Sequence, residues 1–184
     1  GSQGAFSEDA ALKYFGPHAN HSKESVVTLP SRSLDELFAA VSNGSCEYAV
    51  VPLENSVSGL LQDVLLTLVA TQGLHIVGEV LVQEEHCLCV QPGTKKKDIR
   101  SVLSHSHLLM QSEAWLAALE SDNGGHTIAR QCTFDSAGAC ALVDSPTKAA
   151  ISSRRAGEAA GLEIAGSKLA DLESETRYIV LSKS

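Results

Sequence analysis

Three short polar clusters carry the residues best suited to chemistry: Glu54, Asn55 and Ser56 in "PLENS", Ser104, His107 and Gln111 in "SHSHLLMQ", and Ser136 in "FDSAGA". A Thr-Arg pair, Thr176 and Arg177, stands in the last stretch, "ESETRYIVLS". Each cluster follows a run that reads as a strand, which is where an α/β sheet presents its loops and helix starts. Helix starts offer free N–H groups and a positive partial charge, so several of them converging would hold a small carboxylate without many lysines or arginines. The candidate donors are Asn55, Ser56, Ser104, Gln111 and Ser136; Gln111, four residues after His107, shares a helix face with it. Taken singly, a Ser or Asp before a helix is a cap, "ENS" is an Asx-turn, and His105 reads as structural while His107 lines a cleft.

Several other chemistries are excluded. The sequence contains no GxSxG elbow, no phosphate-binding GxxxxGKS/T loop, no HExxH and no CxxC, and "GSQG" lacks the third glycine of a dinucleotide loop. A formal charge of −8 argues against nucleic acid or an acidic membrane surface, because the only basic run, Lys95 to Lys97, sits in the turn "QPGTKKKD". The five cysteines are odd in number, scattered and mostly in apolar runs, which fits a reducing compartment and no disulfide framework. Cys87 and Cys89, next to His86, share one strand face and lack a second pair, so they read as core thiols rather than metal ligands. No run reaches the ~18–20 apolar residues of a membrane span, and no signal or transit peptide is visible.

The elements that must position these clusters alternate between helix and strand. "GSQGAFSEDAALKYFG" reads as a loop entering a helix capped by Ser7 and stopped at Gly16; such a loop ordinarily follows a strand, which is expected ahead of Gly1. "SVVTL" reads as a strand, and "SRSLDELFAAVSNG" as a helix with a Ser33–Glu36 capping box and a stop at Gly44. Then come the strand "YAVVP", the polar loop "LENSVSG", a helix over 60–71, the strands "LHIVGEVLV", "HCLCVQ" and "RSVLS", and a helix over 106–119. The strand "HTIARQC", a helix over 135–143 capped by Asp135, the strand "KAAIS", a helix near 154–160, and the strands "LEIAGS" and "TRYIVLS" follow. This alternation predicts an α/β protein with mainly parallel sheets flanked by helices. Two lobes would comprise 1–77 with 165–184, and 78–164, with crossovers near 77–80 and 162–166. In a regular "TRYIV" strand Thr176 and Tyr178 face one way and Arg177 the other, which makes Arg177 an ion-pair partner rather than a substrate clamp.

The ordered set "GSQGAFSEDAA", "YAVVPLENSVSG", "IVGEVLVQEEHCL", "VLSHSHLLMQSEAWL", "DSAGACALV", "KAAISSRRAGEAAGLEI" and "ETRYIVLS" resembles prephenate dehydratase over essentially the whole chain. The resemblance implies an enzyme of phenylalanine biosynthesis, a hydro-lyase converting prephenate to phenylpyruvate with loss of carbon dioxide and water and no metal or organic cofactor. It implies a periplasmic-binding-protein-like fold of two lobes with the active site in the interlobe cleft, a homo-oligomer (dimer or tetramer), and a cytoplasmic enzyme, or a plastid one if a leader was removed. Carried over letter by letter, it makes Glu54, Asn55, Ser104, Gln111 and Thr176 catalytic, and Ser56, His107, Ser136, Ala137 and Arg177 substrate-binding. Thr176 would help the ring hydroxyl leave, either by only polarising the leaving oxygen or by relaying a proton through Glu54, His107 or water.

The sequence departs from the family pattern at Ser106-His107, where Pro-Gln is usual, at Ser174 in place of Asn, and at Tyr178 in place of Phe. These residues hold no counterpart of the regulatory ACT domain or of a chorismate mutase segment, which points to a catalytic fragment or an unregulated enzyme. Two alternatives stay open: arogenate as the substrate, and a two-lobed small-molecule binding module without catalysis.

Overall fold

The computed structural model describes residues 1–22 and 26–183, and for 17–22 the backbone alone. These form two units, one of Gly1, 6–83 and 174–184, the other of 2–5 and 84–173. The chain thus leaves the first unit after Gln83 and returns at Ser174, where the sequence reading put the boundaries at 77/78 and 164/165.

The first unit is built on a sheet of four antiparallel strands in the order β2-β1-β9-β3: β1 (Tyr48–Asn55), β2 (Gly59–Leu60), β3 (His75–Gln83) and β9 (Glu175–Ser182). Alternate residues Ala49 and Val51 of β1 and Ile179 and Leu181 of β9 meet Phe38 and Val41 of α2 (Leu34–Ser42) and Val64 of α3 (Gln62–Ala70). Burying each larger side chain there contributes about 1.5–3 kcal/mol. α2 begins as its letters require: the Ser33 hydroxyl accepts from Glu36 N, and the Glu36 carboxylate accepts from Arg32 N, one residue before the cap. α1 (Phe6–Ser22) packs on β1 and β3, with Phe15 against Tyr48 at 4.8 Å between ring centroids. Tyr14 lies so close over Gly78 that any Cβ there would enter its ring.

The second unit has a five-stranded sheet in the order β6-β5-β7-β4-β8. Its strands are β4 (Cys87–Val90), β5 (Ser101–Ser104), β6 (Ala129–Cys132), β7 (Lys148–Ser152) and β8 (Glu163–Gly166). β5 runs parallel to β6 and β7, while β4 runs antiparallel to β7 and β8. Its helices are α4 (Ser106–Gln111), α5 (Glu113–Asp122), α6 (Ser136–Cys140) and α7 (Arg154–Ala159). Cys87, Cys89, Leu103, Cys140, Val143 and Ala150 form its core, so the two strand cysteines are packing groups, and all five thiols are free.

The α/β class is as expected, but the first sheet is antiparallel and the second mixed, rather than both mainly parallel. Alternation of helix and strand predicts parallel crossovers only when consecutive strands are neighbours, and β9 instead inserts between β1 and β3 and runs antiparallel to both. The second expected crossover, at 162–166, is β8, a member of the second sheet. Val26 to Leu29 form no strand, with Val27 84% and Leu29 63% exposed, because β-branched residues supply no pairing partner by themselves; Ser25 lies outside the described residues. Ser7 does not cap α1, which starts at Phe6, and Gly16 does not stop it: a glycine on an open helix surface costs about 1 kcal/mol without breaking the helix. The expected loop after Pro52 is strand as far as Asn55, and the expected helix over 106–119 breaks at Ser112.

Candidate active site

The best-defined polar constellation of the first unit lies where β1 ends and the antiparallel β9 begins. A register shift between Pro52 and Glu54 sets Asn55 opposite Thr176 and Glu54 opposite Arg177. Asn55 and Thr176 are each 3% exposed, and Asn55 Nδ2 donates to Thr176 Oγ1 at 2.8 Å. The Asn55 carbonyl oxygen accepts from Val57 N (3.0 Å), Ser58 N (3.1 Å) and Ser58 Oγ (3.2 Å), an Asx-turn that locks the amide in place. Ser56 extends the ladder: its N–H donates to Glu175 O at 2.9 Å, and its hydroxyl accepts from Glu175 N at 3.0 Å.

This arrangement decides how Thr176 can act. An amide nitrogen only donates, so the Thr176 oxygen is an acceptor toward Asn55 and the hydroxyl proton stays available for another oxygen. Any group reaching that buried hydroxyl must shed water, which strengthens the hydrogen bond made there. Strand alternation holds as read: Tyr178 is buried with Thr176, while Arg177 points the other way, 3.9 Å from Glu54 and 3.5 Å from Glu79. Glu54, one of the three proton relays offered for Thr176, is therefore carried to the opposite face and engaged by Arg177.

In the second unit, β5 ends at Ser104, which is fully buried and donates its only proton to Ile151 O at 2.6 Å. That hydroxyl remains an acceptor, not the carboxylate donor the sequence suggested. His105 caps α4, its Nδ1 accepting from His107 N at 3.3 Å, as its structural reading implies. His107 Nε2 lies 3.0 Å from Gln111 Nε2, so with the amide in this orientation the imidazole accepts there and the neutral ring carries its proton on Nδ1. Burial, with His105 nearby, holds the His107 pKa below its ordinary value. Gln111 is 8% exposed. Ser136 and Ala137 open α6 behind the Asp135 cap, whose carboxylate accepts from Gly138 N at 2.6 Å.

Sequence reasoning weighed His86 only as a metal ligand beside Cys87 and Cys89. In the structure it is wholly buried, its Nδ1 3.2 Å from Ser112 Oγ, and desolvation pushes its pKa down to about 4. Burial pushes the Cys87 thiol up to about 11, a core thiol rather than a ready ligand. Among the described residues no group of three or more His, Cys, Asp or Glu is placed to share a cation.

The model of the prephenate dehydratase family matches residues 1–184. A chloroplastic arogenate dehydratase/prephenate dehydratase of Arabidopsis thaliana is 35% identical over 190 residues, covering 100% of this chain and 42% of the relative. A bifunctional chorismate mutase/prephenate dehydratase of Neisseria gonorrhoeae is 32% identical, covering 98% of this chain and 48% of the relative. The solved prephenate dehydratase of Arthrobacter aurescens in complex with L-Phe superposes with a TM-score of 0.85 at 25% identity, over 100% of this chain and 59% of that one. The chain thus spans less than half the length of these curated relatives. A match along its full length, from the glycine loop to the strand that carries Thr176, makes this chain a member of the prephenate dehydratase family.

Proposed function

We propose that the chain catalyses the decarboxylative dehydration of prephenate to phenylpyruvate, a carbon–oxygen lyase step in phenylalanine biosynthesis. The carbon–carbon bond to the ring carboxylate breaks and releases carbon dioxide. Its electron pair completes the aromatic ring as the carbon–oxygen bond to the ring hydroxyl breaks, and the departing oxygen takes up one proton and leaves as water. The substrate supplies the driving force; the protein must hold a dianion and ease the departure of a poor leaving group.

The observation that carries this reading is the Asn55–Thr176 hydrogen bond, which keeps the Thr176 proton as a donor. Thr176 polarises the leaving oxygen; threonine is too weak an acid to give up its proton outright, so the proton arrives through water. Assistance of this kind contributes about 10²–10⁴-fold. Asn55 acts by aiming Thr176, and Ser56 by fixing the turn beside it. Gln111, oriented by His107, and Ser136 and Ala137 at the start of α6 hold the carboxylates. Ser104 contributes as an acceptor, and Arg177 with Glu54 acts as a surface ion pair. The enzyme needs no metal or organic cofactor, works as a homo-oligomer, and resides in the cytoplasm or, as the Arabidopsis relative is described, in the chloroplast.

A second reading, arogenate as the substrate, is favoured by the name of the 35% identical Arabidopsis relative. Initial rates on prephenate and arogenate, for the parent and for Thr176→Ala with folding checked by circular dichroism, test both. Turnover of either compound that falls about 10²-fold or more in Thr176→Ala supports the mechanism and names the substrate. A folded parent inactive on both would favour a binding module, and an unimpaired Thr176→Ala would refute the role of Thr176.

A further inference from the structure

We propose that His86 is a positioning residue of the dehydration site, holding the junction between α4 and α5 through Ser112 and thereby setting Gln111; the inference rests on the activity proposed above. Ser112 is fully buried and stands between the two helices, immediately after Gln111. Serine is a favoured N-cap, yet Ser112 makes no side-chain cap to α5. Its hydroxyl is turned instead to His86 Nδ1, 3.2 Å away. The cap is supplied from a distant part of the sequence by Asp171, whose carboxylate accepts from Ala114 N at 3.0 Å and Trp115 N at 3.3 Å.

The same short segment ties the two ends of this arrangement together. Asp171 N donates to Gln111 O at 2.7 Å, and Leu169 N donates to His86 O at 3.1 Å. Gln111 therefore has its backbone held by Asp171, its following residue held by His86, and its amide against His107 at 3.0 Å. Burying a polar imidazole costs free energy that an apolar residue would not, so its place beneath this helix break calls for a task. Desolvation and the nearby His107 keep His86 neutral, the form that can bond a hydroxyl without carrying a charge into the core. A displacement of about 1 Å at a substrate-holding group can cost on the order of 10²-fold in rate, so a loosened junction would show in turnover before it shows in folding.

The test compares Ser112→Ala, His86→Gln and His86→Asn. An asparagine amide occupies roughly the place of Nδ1, and a glutamine amide that of Nε2. Steady-state kinetics on prephenate, thermal melts and the side-chain amide resonances of Gln111, assigned with Gln111→Glu, are measured for each. Ser112→Ala and His86→Gln are expected to lose about tenfold or more in kcat/KM and to shift the Gln111 amide while melting near the parent; His86→Asn should recover both. Unchanged kinetics and resonances in folded Ser112→Ala and His86→Gln overturn the proposal, as does a His86→Asn no better than His86→Gln. If the His86 variants do not fold, Ser112→Ala, which removes a single oxygen, decides alone. If the parent turns over neither prephenate nor arogenate, the proposed activity fails, and the Gln111 resonances still decide for or against positioning.

Discussion

Replacing Asn55 by Asp changes almost nothing in shape and reverses one hydrogen bond. The Asx-turn survives, because the oxygen that accepts from Val57 N, Ser58 N and Ser58 Oγ is retained. The Nδ2 donor that stands 2.8 Å from Thr176 Oγ1 becomes an acceptor, so Thr176 must turn its proton toward residue 55 and away from a leaving oxygen. Loss of that assistance predicts a fall in kcat of about 10²–10³-fold, or about 2.7–4.1 kcal/mol at 1.36 kcal/mol per decade. Stability should drop by no more than about 1–3 kcal/mol, since the new carboxylate, though buried, inherits several donors. The assay is phenylpyruvate formation at saturating prephenate for Asn55→Asp, Thr176→Ala and the double variant. If Asn55 works only through Thr176, Asn55→Asp adds less than about 0.5 kcal/mol in the Thr176→Ala background. Asn55→Asp within about threefold of the parent, or two losses that simply add, would refute the reasoning.

Other outcomes follow from the same geometry. Glu54→Gln should leave kcat within about threefold, because Glu54 projects to the face opposite Thr176 and its exposed pair with Arg177 contributes at most about 1 kcal/mol; a larger loss would return Glu54 to the chemistry. The folded pKa of His86 is depressed from 6.5 to about 4, so its contribution to stability is complete above about pH 6.5 and is lost as pH falls toward 4. The loss amounts to about 3 kcal/mol, and denaturant titrations between those pH values should show a shallower slope for His86→Asn than for the parent. Gly78→Ala forces a methyl into the Tyr14 ring and should destabilise by about 1–3 kcal/mol, with Tyr14→Ala in the same chain relieving part of the loss in thermal melts.

What the sequence made legible was local. Ser33 and Glu36 announce the start of α2 because capping acts within one turn, and the opposite fates of Thr176 and Arg177 follow from the period of two in a strand. The roles of individual hydroxyls were not legible. Ser104 and Ser56 look like free donors until their partners, Ile151 O and the Glu175 backbone, are brought in from 47 and 119 residues away. Asn55 and Thr176 were each marked by family resemblance, but that one aims the other is a contact across 121 residues. Ser112 reads as mid-helix because its flanking apolar residues keep helical spacing; only His86 and Asp171, remote in sequence, make it a break.

The insertion of β9 between β1 and β3 has a consequence for biosynthesis. Nearly all of the second unit is one uninterrupted stretch, 84–173, which emerges from the ribosome before β9 and can collapse on its own schedule. The first unit must wait with the sides of β1 and β3 that β9 will occupy still open, and such exposed strand edges invite pairing with other chains. The strand that closes those edges also carries Thr176, so until β9 has been made the first sheet and the Asn55–Thr176 hydrogen bond are both incomplete.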